Sequence, residues 1–516
     1  MALRARLVSM AAVATVVVLA IASLVTGTAG ASGGPTQFPS KYVTLTGHGY
    51  GPGFGLGQWG AFGLATVDHF TYHEILARYY SDTAHPVTDA TLSAKADAKI
   101  VRVVIEEQDN HAITLTSPSA FTYVDSQGKT LVTVPAGTAA RAIETRLHGG
   151  SGPRTGVWLI QTGASCTPKS WKTVAKASDP TAVPASLLAT APDKDLLTLC
   201  RADGQDVTYR GSLEAFDYYG SATNEAHLER TLNLVSIEEY VADVTPGESP
   251  AGWGAYGVAK DEPQGEPWGF QELEAQAIAS RTYALYEIAN GGWFGYADIC
   301  DDVCEYYSEG IRYENPLSTL AVHDTAGQYL VQNKEPAPTE YSSSDGGHTD
   351  AMTYWNGKSI FDPAKDPGDS VCIGGQQSLG CNPWHTWGAS VSVASVEGQF
   401  PTVGALVSVT VISTDKSGRV SSIEIVGKKA TVSVSGAAFQ SDFGLMSSLF
   451  VVTDGPGATQ KAGPQAAGPQ AAGPHAAGPQ AAGPQAFVAR SLPGGSPGFR
   501  PPVSPLSTRM LAGAQH

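Results

Sequence analysis

Thr231-Leu-Asn-Leu-Val235-Ser236-Ile-Glu-Glu239-Tyr-Val-Ala-Asp243-Val-Thr-Pro246-Gly-Glu248-Ser-Pro250, followed by Phe270-Gln-Glu-Leu-Glu-Ala-Gln-Ala-Ile-Ala-Ser-Arg281-Thr-Tyr-Ala-Leu-Tyr-Glu-Ile-Ala-Asn-Gly-Gly292, is the most organised stretch of the chain. Thr231–Val235 is strand-like. Ser236 with Glu239 three positions later is a capping box, and predicts a short helix through Asp243. Pro246-Gly247-Glu248-Ser249-Pro250 then reads as a stiff turn. From Phe270 a helix runs to Gly291-Gly292, with an apolar stripe of Phe270, Leu273, Ala277, Ala284 and Ile288. Arg281 falls on that stripe, where a guanidinium needs an anionic partner, a ligand or a route to water.

Strands lie on both sides of this stretch. Ile100–Ile105, Ile113–Thr116, Phe121–Val124 and Leu131–Val134 are short apolar runs separated by turn residues. Residues 328–345 read as strand, turn, strand, and Val407–Ile412, Ile423–Val426 and Ala430–Val434 are strands near the end. Residues 146–206 read as an inserted loop region. Toward the start, Gly47 to Gly57 places glycine at every second position and leads into Gln58-Trp59. That spacing cannot be a helix interior, and lets backbone approach another segment or a ligand closely. It lacks the Lys-Ser/Thr ending of a phosphate loop. The fold class expected is α+β: a mixed β-sheet body, one main helix at about 270–290, a disulfide-stapled insertion and a disordered C-terminal tail.

The ends have their own character. Residues 1–31 carry Arg4 and Arg6, an apolar run from Ala11 to Val25, and Ala29-Gly30-Ala31. This is the pattern of a secretory signal peptide, the alternative being an uncleaved anchor. From Gly463 the unit Gly-Pro-Gln-Ala-Ala recurs every five residues with little variation, which cannot bury a core and reads as an extended spacer. The domain expectation is a signal at 1–31, a Gly-rich segment and helix at 32–98 packing on a main domain at 99–454, and the tail at 455–516.

The whole chain has 516 residues, 32 Lys+Arg and 48 Asp+Glu, for a net charge of −16. Such a balance argues against a nucleic-acid partner, which needs a basic face. No later stretch is apolar enough to span a membrane once the signal is cleaved. The expected location is therefore outside the cell. Six cysteines fall in local pairs: Cys166 with Cys200, Cys300 with Cys304, and Cys372 with Cys381. In an exported protein three sequential disulfides are the economical reading. Metal at Cys300 and Cys304, with His348 or His385 as partners, is the alternative. No cofactor is expected.

The stretch Asn233 to Trp253, the run Glu274-Ala-Gln-Ala-Ile-Ala-Ser-Arg281-Thr-Tyr-Ala-Leu285, the segment Tyr341-Ser-Ser-Ser-Asp-Gly-Gly-His-Thr349 and the closing text Val434 to Phe450 together resemble the stage II sporulation protein D family, also called amidase enhancers. The matches span roughly residues 99–452. In relatives a Gly-rich His/Gln/Trp segment follows the closing text, whereas here residues 47–61 precede the domain, which looks like a circular permutation. Where the family has Gly-His-Gly this chain has Gly51-Pro52-Gly53, with His48 four positions earlier.

The resemblance implies a lytic transglycosylase acting on peptidoglycan, or a non-catalytic glycan binder that stimulates a wall amidase. Lytic cleavage can run on one carboxyl, which first protonates the leaving oxygen and then accepts the proton of the sugar's own C6 hydroxyl; ordinary glycosidases use two. Glu248, held between Pro246 and Pro250 and near Trp253, is the candidate acid and base. Arg281 would pair with a lactyl carboxylate of the glycan. Tyr341, Ser342 and Ser343 would offer hydroxyls, Gln58 an amide and Trp59 a stacking face. For each the competing reading is structural: an internal ion pair for Arg281, strand-end chemistry for the hydroxyls, core packing for Trp59.

Overall fold

A computed structural model describes residues 41–454, apart from 81–86, 92–98, 147–153, 202–203, 219–227, 258–261, 263, 302–303, 306, 308, 354–358 and 373–380. The expected signal peptide and repeat tail lie outside the described residues. The helices are α1 (Gln58–Thr66), α2 (Tyr72–Tyr80), α3 (Ile237–Glu248), α4 (Phe270–Ala289), α5 (Pro316–Asp324), α6 (Val393–Gln399) and α7 (Gly436–Phe443). Among the described residues, no helix is long and apolar enough to cross a membrane.

The fold is α+β. A seven-stranded sheet runs Ile299–Cys300, Ile100–Val104, Leu228–Ser236, Ser212–Tyr218, Thr181–Val183, Phe121–Val124, Thr130–Val134. A six-stranded sheet runs Lys172–Ala177, Arg154–Gly163, Ala139–Arg146, Ile113–Thr116, Leu197–Leu199, Val207–Tyr209. The strand Leu228–Ser236 sits inside the first sheet, with Asn233 opposite both Val103 and Leu213. The stapled region at 146–206 is more than loop. Its long strand Arg154–Gly163 pairs with Ala139–Arg146, and its short ones enter both sheets. All three cysteine pairs are disulfides: Cys166–Cys200, Cys300–Cys304 and Cys372–Cys381.

α3 begins as its sequence dictates. Ser236 Oγ accepts from Glu239 N while the Glu239 carboxylate accepts from Ser236 N, satisfying two otherwise orphaned donors. It does not stop at Asp243. Pro246 lies in the last turn, where its missing N–H removes one intrahelical bond, and Ser249 N still donates to Thr245 O at 2.9 Å. Glu248 is thus the last helical residue rather than the middle of a free turn.

α4 is the axis of the molecule. Ala277, Ala284 and Leu285 face a core of both large sheets that includes Trp158, Tyr209 and Tyr240. Ala275, Ile278 and Ala279 face a second core with Leu64 of α1 and Ile75 and Leu76 of α2. Phe270 and Leu273 meet Leu317 and Ala321 of α5. Every residue from Phe270 to Glu287 is buried, so the one-sided stripe expected of an amphipathic helix is a helix enclosed all round. Each fully buried Leu or Ile contributes about 1.5–3 kcal/mol through removal from water.

The Gly-rich segment packs against this body. The strand Tyr42–Gly47 lies between Trp387–Ser392 and Phe450–Asp454, so the start of the described chain pairs with its end. Gly49, Gly51, Gly53 and Gly55 all have positive φ, which explains glycine at every second position. At Gly53 the need is doubled: a Cβ there would lie 1.9 Å from the Arg419 guanidinium.

Candidate functional site

Glu248 closes α3 and is half-buried. Its Oε2 accepts a hydrogen bond from Gln58 Nε2 at 3.2 Å. Gln58 is the first residue of α1, delivered by the Gly-rich segment, and is 2% exposed. Its Nε2 also reaches Gln276 Oε1 at 3.4 Å. Gln276 Nε2 donates to Ser280 Oγ at 3.0 Å, one turn along α4. Ser280 Oγ and the Tyr341 hydroxyl are 3.2 Å apart, and the Tyr341 hydroxyl donates to Glu305. A continuous chain of polar side chains therefore links Glu248 to Glu305 through residues of three other segments: Gln58 of α1, Gln276 and Ser280 of α4, and Tyr341. Glu305 is 2% exposed, and burial, then the neighbouring Glu248 charge, push its carboxyl well above the usual carboxylate range. Burial also drives the Tyr341 phenol well up, so it remains a neutral donor.

The turn after Glu248 is held from behind. Ser249 Oγ donates to Glu272 Oε1 at 2.6 Å. Glu272 is fully enclosed in α4, and burial raises its carboxyl to about 8. Beside the site, Trp59, Phe62 and Trp253 form an aromatic cluster, with Phe62 stacked on Trp253 at 4.5 Å and Trp59 edge-on to Trp253 at 4.8 Å. Trp59 is half-buried, packing on the cluster while keeping part of its ring at the surface.

Two sequence-based expectations need correction. Arg281 is 0% exposed and faces no cleft. Its Nε and Nη2 form a bidentate pair with Glu238 at 2.9 and 2.7 Å, and its remaining donors reach the carbonyls of Gln328 and Val322. The inward charge is thus satisfied inside the protein and is not available to a carboxylate on a glycan. Ser342 and Ser343 are also buried, at 4% and 8% exposure. Ser342 Oγ accepts from Gly53 N at 2.8 Å and Ser343 O accepts from Trp59 N at 3.1 Å, so both clamp the Gly-rich segment. His48, the histidine four positions before Pro52, is held by its own neighbours: its Nδ1 contacts His385 O at 2.8 Å and the Thr386 hydroxyl at 3.2 Å.

Gln276, Ser280 and Glu305 were not singled out from the sequence. A signal for the first two existed, since Gln276 and Ser280 are polar residues four apart on a helix otherwise turned inward. Glu305 follows Asp301, Asp302 and Cys304, an acidic run that looks like a solvated turn.

Asp345, Asp366 and Asp369 form a second polar cluster. Their carboxylate oxygens lie within 4.8 Å of one another and all three residues are buried. Three such oxygens are the type of set that holds a hard divalent cation. Protein donors already serve them. Tyr79 OH donates to Asp366 Oδ2 at 2.6 Å, Ser344 Oγ to Asp369 Oδ1 at 2.7 Å, and His385 Nδ1 lies 2.7 Å from Asp369 Oδ2. Burial raises Asp366 to about 6 and Asp345 well above its ordinary range, so a shared proton also suits the pair. The cluster abuts α1, where a Cβ at Gly60 would lie 1.7 Å from Asp366 Oδ2. His348, proposed with His385 as a metal partner for Cys300 and Cys304, instead meets Thr349 O, and the two cysteines are bonded to each other.

Residues 225–332 match the Stage II sporulation protein family, a stretch that contains Glu248, Gln276, Ser280 and Glu305 but not Gln58 or Tyr341. An uncharacterised protein of Brachyspira hyodysenteriae is 28% identical over 142 residues, which are 27% of this chain and 34% of that protein. The chain thus spans about a third of the length of this curated relative. No solved structure matches. The stretch that matches the stage II sporulation protein family is thus residues 225–332, with α3, α4 and the Glu248 turn at its centre.

Proposed function

We propose that this protein is an exported lytic transglycosylase of peptidoglycan glycan strands, with Glu248 as its acid and then its base. The family points to a cell-wall role in sporulation-type biology, and the finer reading rests on one observation: the Gln58 amide bonded to the Glu248 carboxyl at 3.2 Å across the two halves of the site. In the first step Glu248 gives its proton to the glycosidic oxygen and the C1–O bond breaks. The sugar's C6 oxygen then bonds to C1, and the C6 proton passes to Glu248, restoring the acid. No water is consumed and a 1,6-anhydro end remains. The end of α3 favours an un-ionised carboxyl, because unpaired carbonyls there carry partial negative charge. Gln58 as a neutral donor orients one oxygen without adding charge. Trp59 supplies an aromatic face toward a sugar, while the Tyr341 hydroxyl is engaged by Glu305 and Ser280. A permuted order of the Gly-rich segment belongs to the same proposal, supported by the pairing of Tyr42–Gly47 with Phe450–Asp454.

A second reading, a non-catalytic glycan binder that stimulates an amidase, is favoured by His48 being tied to His385 and Thr386. Digestion of purified peptidoglycan with wild type and Glu248→Gln separates them. Anhydro ends that vanish in the variant support catalysis. Wall binding and amidase stimulation with no anhydro ends in either protein support the second reading.

A further inference from the structure

The site contains a carboxyl that single-acid chemistry does not use. We propose that Glu305 is a positioning residue of the Glu248 site: it anchors Tyr341, and through Ser280, Gln276 and Gln58 the amide that faces Glu248, while itself staying uncharged. The inference rests on the transglycosylase reading for its kinetic consequences, but not for its structural ones.

The geometry carries the argument. Glu305 lies immediately after the Cys300–Cys304 disulfide, which pins it beside the edge strand Ile299–Cys300 of the seven-stranded sheet. One oxygen accepts from Tyr341, and the other, Oε1, is buried with no hydrogen-bond partner among the described residues. A carboxylate in that position would leave charge density in a dry site with one donor, whereas an un-ionised carboxyl bears it at far lower cost. Among the described residues, the titratable groups that face Glu305 are Glu248 and Tyr240 of α3, Glu287 and Tyr283 of α4, Tyr80 of α2, and Tyr341, and none of these is a cation. The Glu248 and Glu287 charges disfavour a further negative charge on Glu305, and the Tyr341 hydrogen bond offsets burial only in part. A charge on Glu305 beside Glu248 is therefore disfavoured. Tyr341, held by Glu305 on one side and Ser280 on the other, has its hydroxyl fixed, and Ser280 in turn fixes the Gln276 amide. Because Gln276 shares the Gln58 amide with Glu248, the orientation of Gln58 is set from the Glu305 end.

Glu305→Gln keeps a neutral acceptor of the same shape, and Glu305→Leu removes it. With full-length protein and purified glycan strands, Glu305→Gln is expected to retain the wild-type kcat and pH profile. Glu305→Leu is expected to lower kcat by roughly 10- to 100-fold with KM little changed, as for a small misplacement of reacting groups. A shifted pH profile in Glu305→Gln, or a wild-type kcat in Glu305→Leu, overturns the proposal. Infrared difference spectra at pH 7 provide a readout that does not need activity: wild type minus Glu305→Gln should show the carbonyl band of an un-ionised carboxylic acid. A carboxylate band in its place overturns the proposal. A wild type that releases no anhydro ends sinks the transglycosylase reading alone, and the infrared result still decides the state of Glu305.

Discussion

Gln58 Nε2 and Glu248 Oε2 are 3.2 Å apart although 190 residues separate them in the chain. The bond joins the Gly-rich segment to the last turn of α3, and each side reaches it by a distinct local device. Gln58 is carried there by four glycines of positive φ whose close contacts exclude a side chain. Glu248 is carried by a helix that starts at a capping box and is stopped by the Ser249–Glu272 bond.

Removing the donor at Gln58 should therefore reach the chemistry before it reaches binding. Gln58→Leu is expected to lower kcat by on the order of 10-fold or more, with a smaller change in KM, because the loss is of orientation at Glu248. Steady-state kinetics on soluble glycan fragments, with circular dichroism to check the fold, make the comparison. A large rise in KM at unchanged kcat would assign Gln58 to substrate binding instead.

Arg281 should behave as a structural residue. Arg281→Met takes from Glu238 its bidentate cation, leaving it Gly327 N as donor, and strips the carbonyls of Gln328 and Val322 of theirs; breaking a buried pair by one partner typically loses ~3–5 kcal/mol. Chemical denaturation should show a marked fall in midpoint. Unchanged stability with weakened glycan binding would contradict the ion-pair assignment.

The sequence carried the frame and missed the wiring. The strands at Ile113–Thr116, Phe121–Val124 and Thr130–Val134 were legible because short apolar runs were bounded by turn residues, and α4 because glycines mark its end. The capping box gave the start of α3 but not its end, since a proline in a last turn removes only one bond. Arg281 was visible as an inward charge, yet its acid, Glu238, lies 43 residues away and on another helix, a pairing no local pattern contains. Ser342 and Ser343 read as hydroxyls for a ligand because nothing local says that Gly53 N would claim the Ser342 hydroxyl, or that Trp59 N would tie down the Ser343 carbonyl in a buried strand end. Glu305 was hidden for the same reason: its burial comes from α2, α3 and α4, not from its neighbours in sequence.

Stability should fall as pH rises toward the alkaline range. Burial raises Glu272 and Glu274 to about 8 from an ordinary value of 4.5. Between those two pH values the unfolded chain is ionised while the native protein keeps the protons, so unfolding releases protons and becomes easier with increasing pH. The contribution is complete below the ordinary carboxylate range and gone above about 8. Denaturation midpoints should thus be higher at pH 6 than at pH 9, and Glu272→Gln should flatten the dependence. A midpoint that climbs through this window would refute the assignment of buried, protonated carboxyls.

Gly53→Ala tests the Gly-rich segment. The residue has φ +82° and no room beside Arg419. A strained backbone alone is worth about 1–3 kcal/mol, so the variant should unfold at lower denaturant and lose activity in parallel. A variant of wild-type stability would mean that the segment tolerates side chains and does not fix Gln58.

The central claim is that Glu248 moves one proton out and back with no water taking part. Digesting purified peptidoglycan in oxygen-18 water and weighing the new glycan ends tests it directly. The account predicts anhydro ends, free of the isotope, made by wild type and lost in Glu248→Gln. Reducing ends that carry oxygen-18, or anhydro ends released undiminished by Glu248→Gln, would contradict it.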